Sequence, residues 1–485
     1  MVETYRFAGF PSAVVYDRPP GNGSDKPKPI QHLLWGDWIN LTGPEGGDWV
    51  KVHARNADGY MHKDSFVRDR ILEIIFVDIG QGDGCLIVTP DDKHIIVDAG
   101  QSDNMFRFLN WRFGQFKKEF TFQSAIISHP DADHYAGFKQ LFEQPNVKFQ
   151  TIFHNGIVGA EEDTKPDSKK TGNVKYLSGI VADRIGLADL DSETGYAKML
   201  KNALASGRVN DIRMLSAADK YLPGYEPDQR MSIQVLGPVP EPDADGNLRL
   251  RWFGNLGKTK NGHSIILRLK FNKVSVLLGG DLNTLSEYFL LGHHAGIPDP
   301  ENRENESRLI ELSRTSFESD IAKSCHHGSR DFTDVFLRAV NPIATVISSG
   351  DNEAYSHPRS DTLGAVGRFS RCNRPLIFST ELARSAKENI KNPQLLRGKL
   401  TEEHEKIAKA KDEAAKQKAE DEFNKLVRTI ERSIAVYGAI NLRTDGTNVI
   451  LAQKIEAPRR KDNEWDIYVL ECQPDGRLQF VSKSE

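Results

Sequence analysis

Two imidazoles and two carboxylates crowd the stretch "SHPDADHYAG", where His129, Asp131, Asp133 and His134 follow the apolar run "SAII". At positions n, n+2, n+4 and n+5 of a strand-to-helix loop, four such side chains can turn toward one point. Neutral imidazole and carboxylate are both good ligands for zinc or manganese, so the chemistry they suggest is that of a divalent metal site. Helix capping by Asp133, ahead of "HYAGFKQLFEQ", accounts for one aspartate but not for two histidines and a second aspartate. Asp281 ends the buried pattern "VSVLLGGDL", and His326 and His327 are adjacent in "CHHGS", with Ser329 close behind. His357 lies in "YSHP", His263 opens "HSIILRL" and His154 lies in "IFHNG". Neighbouring side chains on an extended strand point to opposite sides, so His326 and His327 are not expected to serve one ion in the same way. Either one could be the ligand.

The elements that must position these residues alternate along the chain. Three apolar segments, Ile74 to Ile79, Cys85 to Thr89 and His94 to Val97, are joined by turns containing Gly80, Gly82 and Asp91-Asp92, which predicts a meander. "FRFLNWRFGQF" reads as a helix, and "FQSAIIS" as a buried strand that runs into the histidine-aspartate loop. Residues 155–230 are polar and weakly periodic apart from the amphipathic "YAKMLKNALASG", and are expected to form a long excursion facing the substrate. Strand patterns return at "MSIQVLGP", "HSIILRLKF", "VSVLLGGDL", "ATVISSG" and "PLIFST". An Ala, Glu and Lys-rich segment at about 383–433, with Phe423, Leu426, Val427 and Ile430 at helical spacing, predicts a helical insertion. "YGAINLRTDGTNVILAQKIE" and "EWDIYVLECQPDGRLQF" then read as strand, turn, strand. Before all of this, residues 1–70 carry short alternating runs such as "SAVVYD" and "DWVKVHA", divided by "RPPGNGSDKPKP" and "TGPEGG", the pattern of a small all-β barrel.

Composition excludes several classes. A chain of 485 residues, 38% hydrophobic and 27% charged, can bury a large core in two or three domains. No segment approaches the ~20 apolar residues of a membrane span, and the start lacks a basic stretch leading into an apolar run, so no membrane partner and a cytoplasmic location are expected. Cys85, Cys325, Cys372 and Cys472 are widely spaced, which indicates neither a disulfide framework nor a cysteine zinc site. A net charge of -4 supplies no global attraction to nucleic acid. Neither a GxSxG elbow nor a GxxxxGK[ST] loop is present, and "GQGDG" has the wrong spacing for a dinucleotide fingerprint.

The ordered set "FVDIGQGDG", "SHPDADH", "LLGGDL", "CHHGS", "YSHP" and "YGAINLRTDG" resembles the hydrolase domain of the DNA-uptake competence protein family ComEC, within the metallo-β-lactamase superfamily. The similarity spans roughly 72–382 and 434–470. "DGYMHKDSFV" resembles the end of a bacterial SH3-like domain. The resemblance implies an α/β fold: an αββα sandwich over 71–485, preceded by an SH3-like barrel over 1–70. It also implies a dinuclear site, with His129 and Asp131 on the first metal, Asp133 and His134 on the second, Asp281 bridging both, and His263 and one of His326 and His327 completing the set. Asp98, in "VDAG", would orient the loop, His154 would be a wall residue, and His357 and Ser329 would hold substrate oxygens or protonate a leaving group. Asp131 stands where the superfamily has a histidine. That extra carboxylate brings two divalent ions and a bridging hydroxide to neutrality, and makes manganese a competitor to zinc.

The expected function is a metal-dependent phosphodiesterase, most simply a nuclease, in which Asp133, Asp281, His327 and His357 serve catalysis. A small-molecule or phosphorylcholine-type phosphoesterase and a non-catalytic binding protein are the alternatives. Expected partners are nucleic acid or another phosphodiester, with a protein partner through the SH3-like module or the helical insert.

Overall fold

The computed structural model describes residues 5–21, 26–159, 166–171, 174–243, 245–350, 355–380, 393–455 and 458–484. The meander appears as antiparallel strands β1 (Leu72–Phe76), β2 (Gly84–Val88) and β3 (His94–Ala99). The first strand closes at Phe76, and Val77 and Ile79 stay buried while the chain turns. After α1 (Asn104–Arg112) come β4 (Phe120–Ile127), which pairs parallel with β3, then the short α2 (Ala132–Tyr135), α3 (Phe138–Glu143) and β5 (Val147–His154).

The expected substrate-facing excursion is in part sheet. It supplies α4 (Gly195–Ala205) and β6 (Val209–Met214), which pairs parallel with β5. "VNDIRM" does not read as a strand, because an edge strand with Val209 and Ile212 turned inward needs few apolar residues.

A second sheet repeats the plan. Strands β7 (Met231–Gly237), β8 (Ile266–Phe271, after helix α5, Leu256–Gly262) and β9 (Val274–Leu278) are antiparallel. Helices α6 (Thr284–Ala295) and α7 (Glu306–Phe317) lead to β10 (Ile321–Lys323), which starts a parallel run. Helix α8 (Asp334–Val340), β11 (Ala344–Ile347), α9 (Ser360–Arg368) and β12 (Leu376–Ser379) complete it. The insertion is a hairpin of α10 (Pro393–Ala408) and α11 (Glu413–Tyr437), with α11 alongside α1. Within its expected span, residues 383–392 and the side chains of Val427 and Ile430 lie outside what is described. Strands β13 (Ile440–Thr444), β14 (Asn448–Lys454), β15 (Trp465–Cys472) and β16 (Leu478–Ser484) join the first sheet through β13 and β1. The sheet orders are therefore β6-β5-β4-β3-β2-β1-β13-β14-β15-β16 and β7-β8-β9-β10-β11-β12.

The sheets face each other across one apolar layer that includes Ile74, Ile126, Leu267, Val276, Val346 and Leu442. The outer face of the first sheet is covered by α1, α3 and α4, and that of the second by α6, α7 and α8. This is an αββα sandwich, in which parallel strands buried on both faces read as unbroken apolar runs. It brings the carboxyl ends of β4 and β9 to one edge, where open α/β sheets bind ligands.

The described residues between Tyr5 and Val67 form a seven-stranded all-β sheet that packs through Leu34 and Trp35 onto Ile450, Trp465, Ile467 and Val469. Arg443 is buried in this junction, donating to the Leu34 carbonyl at 3.2 Å and to Asp37 Oδ1 at 2.9 Å, with Glu73 Oε2 3.4 Å away.

Candidate metal centre

Loop residues after β4 point into the edge. Asp131 occupies the N-cap position of α2 but makes no side-chain cap bond, so capping does not occupy these carboxylates. His129 and His134 are wholly buried. His134 Nε2 lies 3.3 Å from Asp281 Oδ2 and 3.3 Å from His327 Nε2. His327 Nε2 is 3.2 Å from the same Asp281 oxygen and 3.6 Å from Asp133 Oδ2. His129 Nε2 and His326 Nε2 each lie 3.9 Å from Asp281 Oδ2, and Asp131 Oδ2 is 3.6 Å from His129 Nε2. One carboxylate is thus common to four imidazoles.

Side-chain atoms behind the cluster fix its histidines. Asp98 Oδ2 accepts from His134 Nδ1 at 2.8 Å, while its other oxygen accepts from the Ser128 backbone amide at 2.7 Å. These two bonds tie the His134 ring and the start of the loop to one carboxylate. His327 Nδ1 is held by the Ser348 carbonyl at 3.1 Å, with Asp83 Oδ1 also 3.1 Å away as a charge neighbour, and Asp83 is itself ion-paired to the buried Lys323. Asp83 and Lys323 were not singled out from sequence. The signal was in "GQGDG": Gly82, at φ +105, lets the turn press on the metal loop, since a Cβ there would sit 1.7 Å from the Asp133 carbonyl oxygen.

Two sequence expectations need correction. His326 and His327 are not on an extended strand; both adopt left-handed backbone, at φ 48 and φ 52, in the turn Cys325–Gly328. Strand alternation does not apply, so both rings reach Asp281, and the strained conformation marks a site where position outweighs backbone comfort. His263 does not join the cluster. It ends α5 instead of starting a strand; its Nε2 donates to the Arg251 carbonyl at 2.7 Å and its ring packs on Phe253 at 4.9 Å. Burial lowers it to about 4. His154 is buried at the end of β5, its Nδ1 accepting from the Gly156 amide at 3.1 Å, and it too stays outside the cluster. Helix α5 reaches the site in another way: Lys260 Nζ lies 3.1 Å from Asp131 Oδ1.

The electrostatics fit a cation. Burial opposes charge on Asp281, yet His327, His134 and His326 hold its carboxyl well below the usual range. Burial likewise opposes charge on His134 and His327, but Asp281 with Asp98, and Asp281 with Asp83, hold both imidazoles well above theirs. The buried His129 Nε2 and Asp281 Oδ1 have no hydrogen-bond partner. Among the described residues, overlapping sets within ligand distance are His129, His134 and Asp281; Asp133, His134 and His327; Asp83, Asp281 and His327; and Asp83, Asp98 and His134. Mixed imidazole and carboxylate donors suit zinc or manganese.

ComE operon protein 3 of Bacillus subtilis (strain 168) is 21% identical over 315 residues, covering 61% of this chain and 31% of that protein. Competence protein ComA of Neisseria gonorrhoeae is 33% identical over 124 residues, covering 25% of this chain and 15% of that protein. The chain is thus similar to part of each of these two competence proteins. It spans about a third of the first relative's length and less of the second's. No family model matches. Among solved structures, neighbours include Tm1679, a metal-dependent hydrolase of the beta-lactamase superfamily (12% identity, 64% of this chain and 95% of that one, TM-score 0.31). Another is MEM-A1, a subclass B3 metallo-beta-lactamase from a soil metagenome library (13% identity, 52% and 79%, TM-score 0.24). Among the described residues no helix is long and apolar enough to cross a membrane.

Proposed function

We propose that this chain is a dinuclear metal-dependent phosphodiesterase that cleaves nucleic acid. The observation that supports it most is the convergence of His129, His134, His326 and His327 on the single carboxylate Asp281. His129 and Asp131 would hold one ion, Asp133, His134 and His327 the other, and Asp281 both; zinc is the first candidate and manganese the second. When bound, such ions supply a water deprotonated near neutral pH and stabilise the charge that develops on phosphate oxygens.

The chain's own residues do the rest. Asp98 fixes the ring orientation of His134 and the Ser348 carbonyl that of His327, each through Nδ1, with the Asp83 carboxylate beside the second. Lys323 keeps Asp83 ionised and adds a positive charge 3.9 Å from Asp281 Oδ1. His357, its ring 5.8 Å from that of His326 and 6.3 Å from that of His327, is placed to donate a proton to a leaving oxygen. A nucleic acid substrate is favoured by the resemblance to the hydrolase domain of DNA-uptake competence proteins. In this reading residues 1–70 are an SH3-like module that braces the hydrolase body of 71–485.

The test is to incubate metal-reconstituted protein with single- and double-stranded DNA, RNA and bis-p-nitrophenyl phosphate, beside Asp281→Ala. Polynucleotides cut by the wild type and spared by the variant are expected. Turnover of the small diester alone would move the substrate to small phosphodiesters.

A further inference from the structure

Three rings form a ladder that leads out of the metal edge. His327, with Nε2 3.2 Å from Asp281, has the His357 ring beside it at 6.3 Å and an interplanar angle of 29°. His357 in turn has Tyr355 beside it at 5.9 Å and 18°. The rings become progressively more accessible: His327 is buried, His357 half-buried, and Tyr355 59% exposed. Centroid separations of this size belong to offset stacking. The Tyr355 ring therefore presents an aromatic surface two ring steps from the candidate ligands.

The ladder is braced. Ser356, at φ +57, turns the chain so that Tyr355 and His357 lie beside each other. Pro358 packs on Gly328 of the histidine turn so closely that a Cβ on Gly328 would sit 2.7 Å from the proline Cβ. The Arg359 amide donates to the Gly328 carbonyl at 2.9 Å, and Thr362 Oγ1 donates to the Ser329 carbonyl at 2.7 Å. The turn that carries two candidate ligands is thus tied to the segment that follows Tyr355. A tyrosine already stacked on a neighbouring ring has less freedom to lose on binding than one on an open loop.

Resting on the nuclease reading above, we infer that Tyr355 is a substrate-stacking residue that takes an unpaired nucleobase next to the scissile phosphate, so that the preferred substrate is single-stranded. Every base has a π face, and a base inside a duplex cannot offer it to a side chain without leaving the stack. The ladder then sets the distance between the stacked base and the metal edge. Selectivity arises from strandedness, with little dependence on base identity.

The test uses the full-length, metal-reconstituted chain and its Tyr355→Ala and Tyr355→Phe variants. Substrates are a single-stranded DNA oligonucleotide, the same strand with one abasic position moved stepwise past the cleavage point, its duplex, and bis-p-nitrophenyl phosphate. Expected for Tyr355→Ala is a rise in KM for the single strand of roughly 5- to 150-fold, the range that removal of one stacking aromatic produces. Expected alongside are an unchanged kcat at saturation, unchanged kcat on the small diester, and recovery by Tyr355→Phe. In the wild type, one abasic position should reproduce the loss. Single-strand cleavage with the same KM in Tyr355→Ala and wild type would overturn the stacking role and leave the nuclease reading standing. Indifference of the wild type to every abasic position, or preference for the duplex, would do the same. Loss of small-diester turnover in Tyr355→Ala would show a structural role instead, and overturn it too. Wild-type turnover of the small diester with no polynucleotide cut would remove the nuclease reading itself, and the inference with it.

Discussion

Two buried clusters of charge, one at the metal edge and one where the N-terminal sheet meets the sandwich, solve the same problem in opposite ways. At the junction Asp37 and Glu73 are neutralised by cations of the chain itself: Arg443 contacts both, Arg55 pairs with Asp37 at 2.7 Å and Arg112 with Glu73 at 3.0 Å. At the metal edge Asp281 faces four imidazoles, and one of its oxygens has no hydrogen-bond partner. A carboxylate given an arginine is structural, while one surrounded by imidazoles suits an ion from outside. Glu287 is a third case. It is buried on α6 with Oε2 accepting from the Thr333 amide at 2.6 Å, and a proton takes the place of a cation: burial lifts it to about 8.

The contrast can be broken from either side. Asp281→Ala should lower phosphodiester turnover by more than ~10³-fold and reduce bound metal, with the far-UV spectrum unchanged. Turnover near wild type would show that the edge is not the reaction centre. At the junction, Arg443→Met leaves Asp37 and Glu73 buried with fewer cations and should cost about 3–5 kcal/mol in urea unfolding. Adding Asp37→Asn and Glu73→Gln should recover part of that loss, whereas a loss that stays whole would assign it to packing around the guanidinium.

Ion binding sharpens the comparison. Zinc or manganese at about 100 times its dissociation constant should stabilise the wild type by ~2.7 kcal/mol, and Asp281→Ala by far less. Arg443→Met should keep the full increment. Glu287 supplies a pH signature. Its folded value of about 8 lies above the ordinary 4.5, so the folded state binds the proton more tightly. Its contribution is complete below the unfolded value and is lost as pH rises toward the folded one, with a slope of up to ~1.4 kcal/mol per unit. Glu287→Gln should flatten that slope between about pH 5 and 8 in urea titrations; an unchanged slope would mean another group titrates. The smallest effect is expected at His263. His263→Gln should leave metal content unchanged and activity within about threefold, with ~1 kcal/mol lost for the bond to the Arg251 carbonyl. Loss of one metal equivalent would return it to the ligand set.

Much of the site was legible because its residues are consecutive. His129, Asp131, Asp133 and His134 share one loop, so spacing alone places them together. The buried strands could be read because their apolar runs have no interruption. His263 misled because an apolar pattern does not reveal that a helix ends at that residue and that its imidazole is claimed by a backbone carbonyl. Strand β6 and Asp83 stayed hidden for different reasons: an edge strand needs little hydrophobicity, and a glycine-flanked aspartate reads as a turn until its partner is known.

What the sequence determined by itself was local: which segments are strands, where the loop with four ligand-type side chains lies, and that the chain belongs with ordered motifs of one kind. Only tertiary structure decided which distant residues meet. Asp281, Lys323 and His327 reach Asp83 and His134 because two separately built half-sheets pack face to face. Local pattern carries no record of that packing, since burial of apolar area is non-directional and the same alternation would serve many pairings. The left-handed turn at His326 and His327 follows for the same reason: it holds only where Gly280, Gly328 and Pro358 close around it.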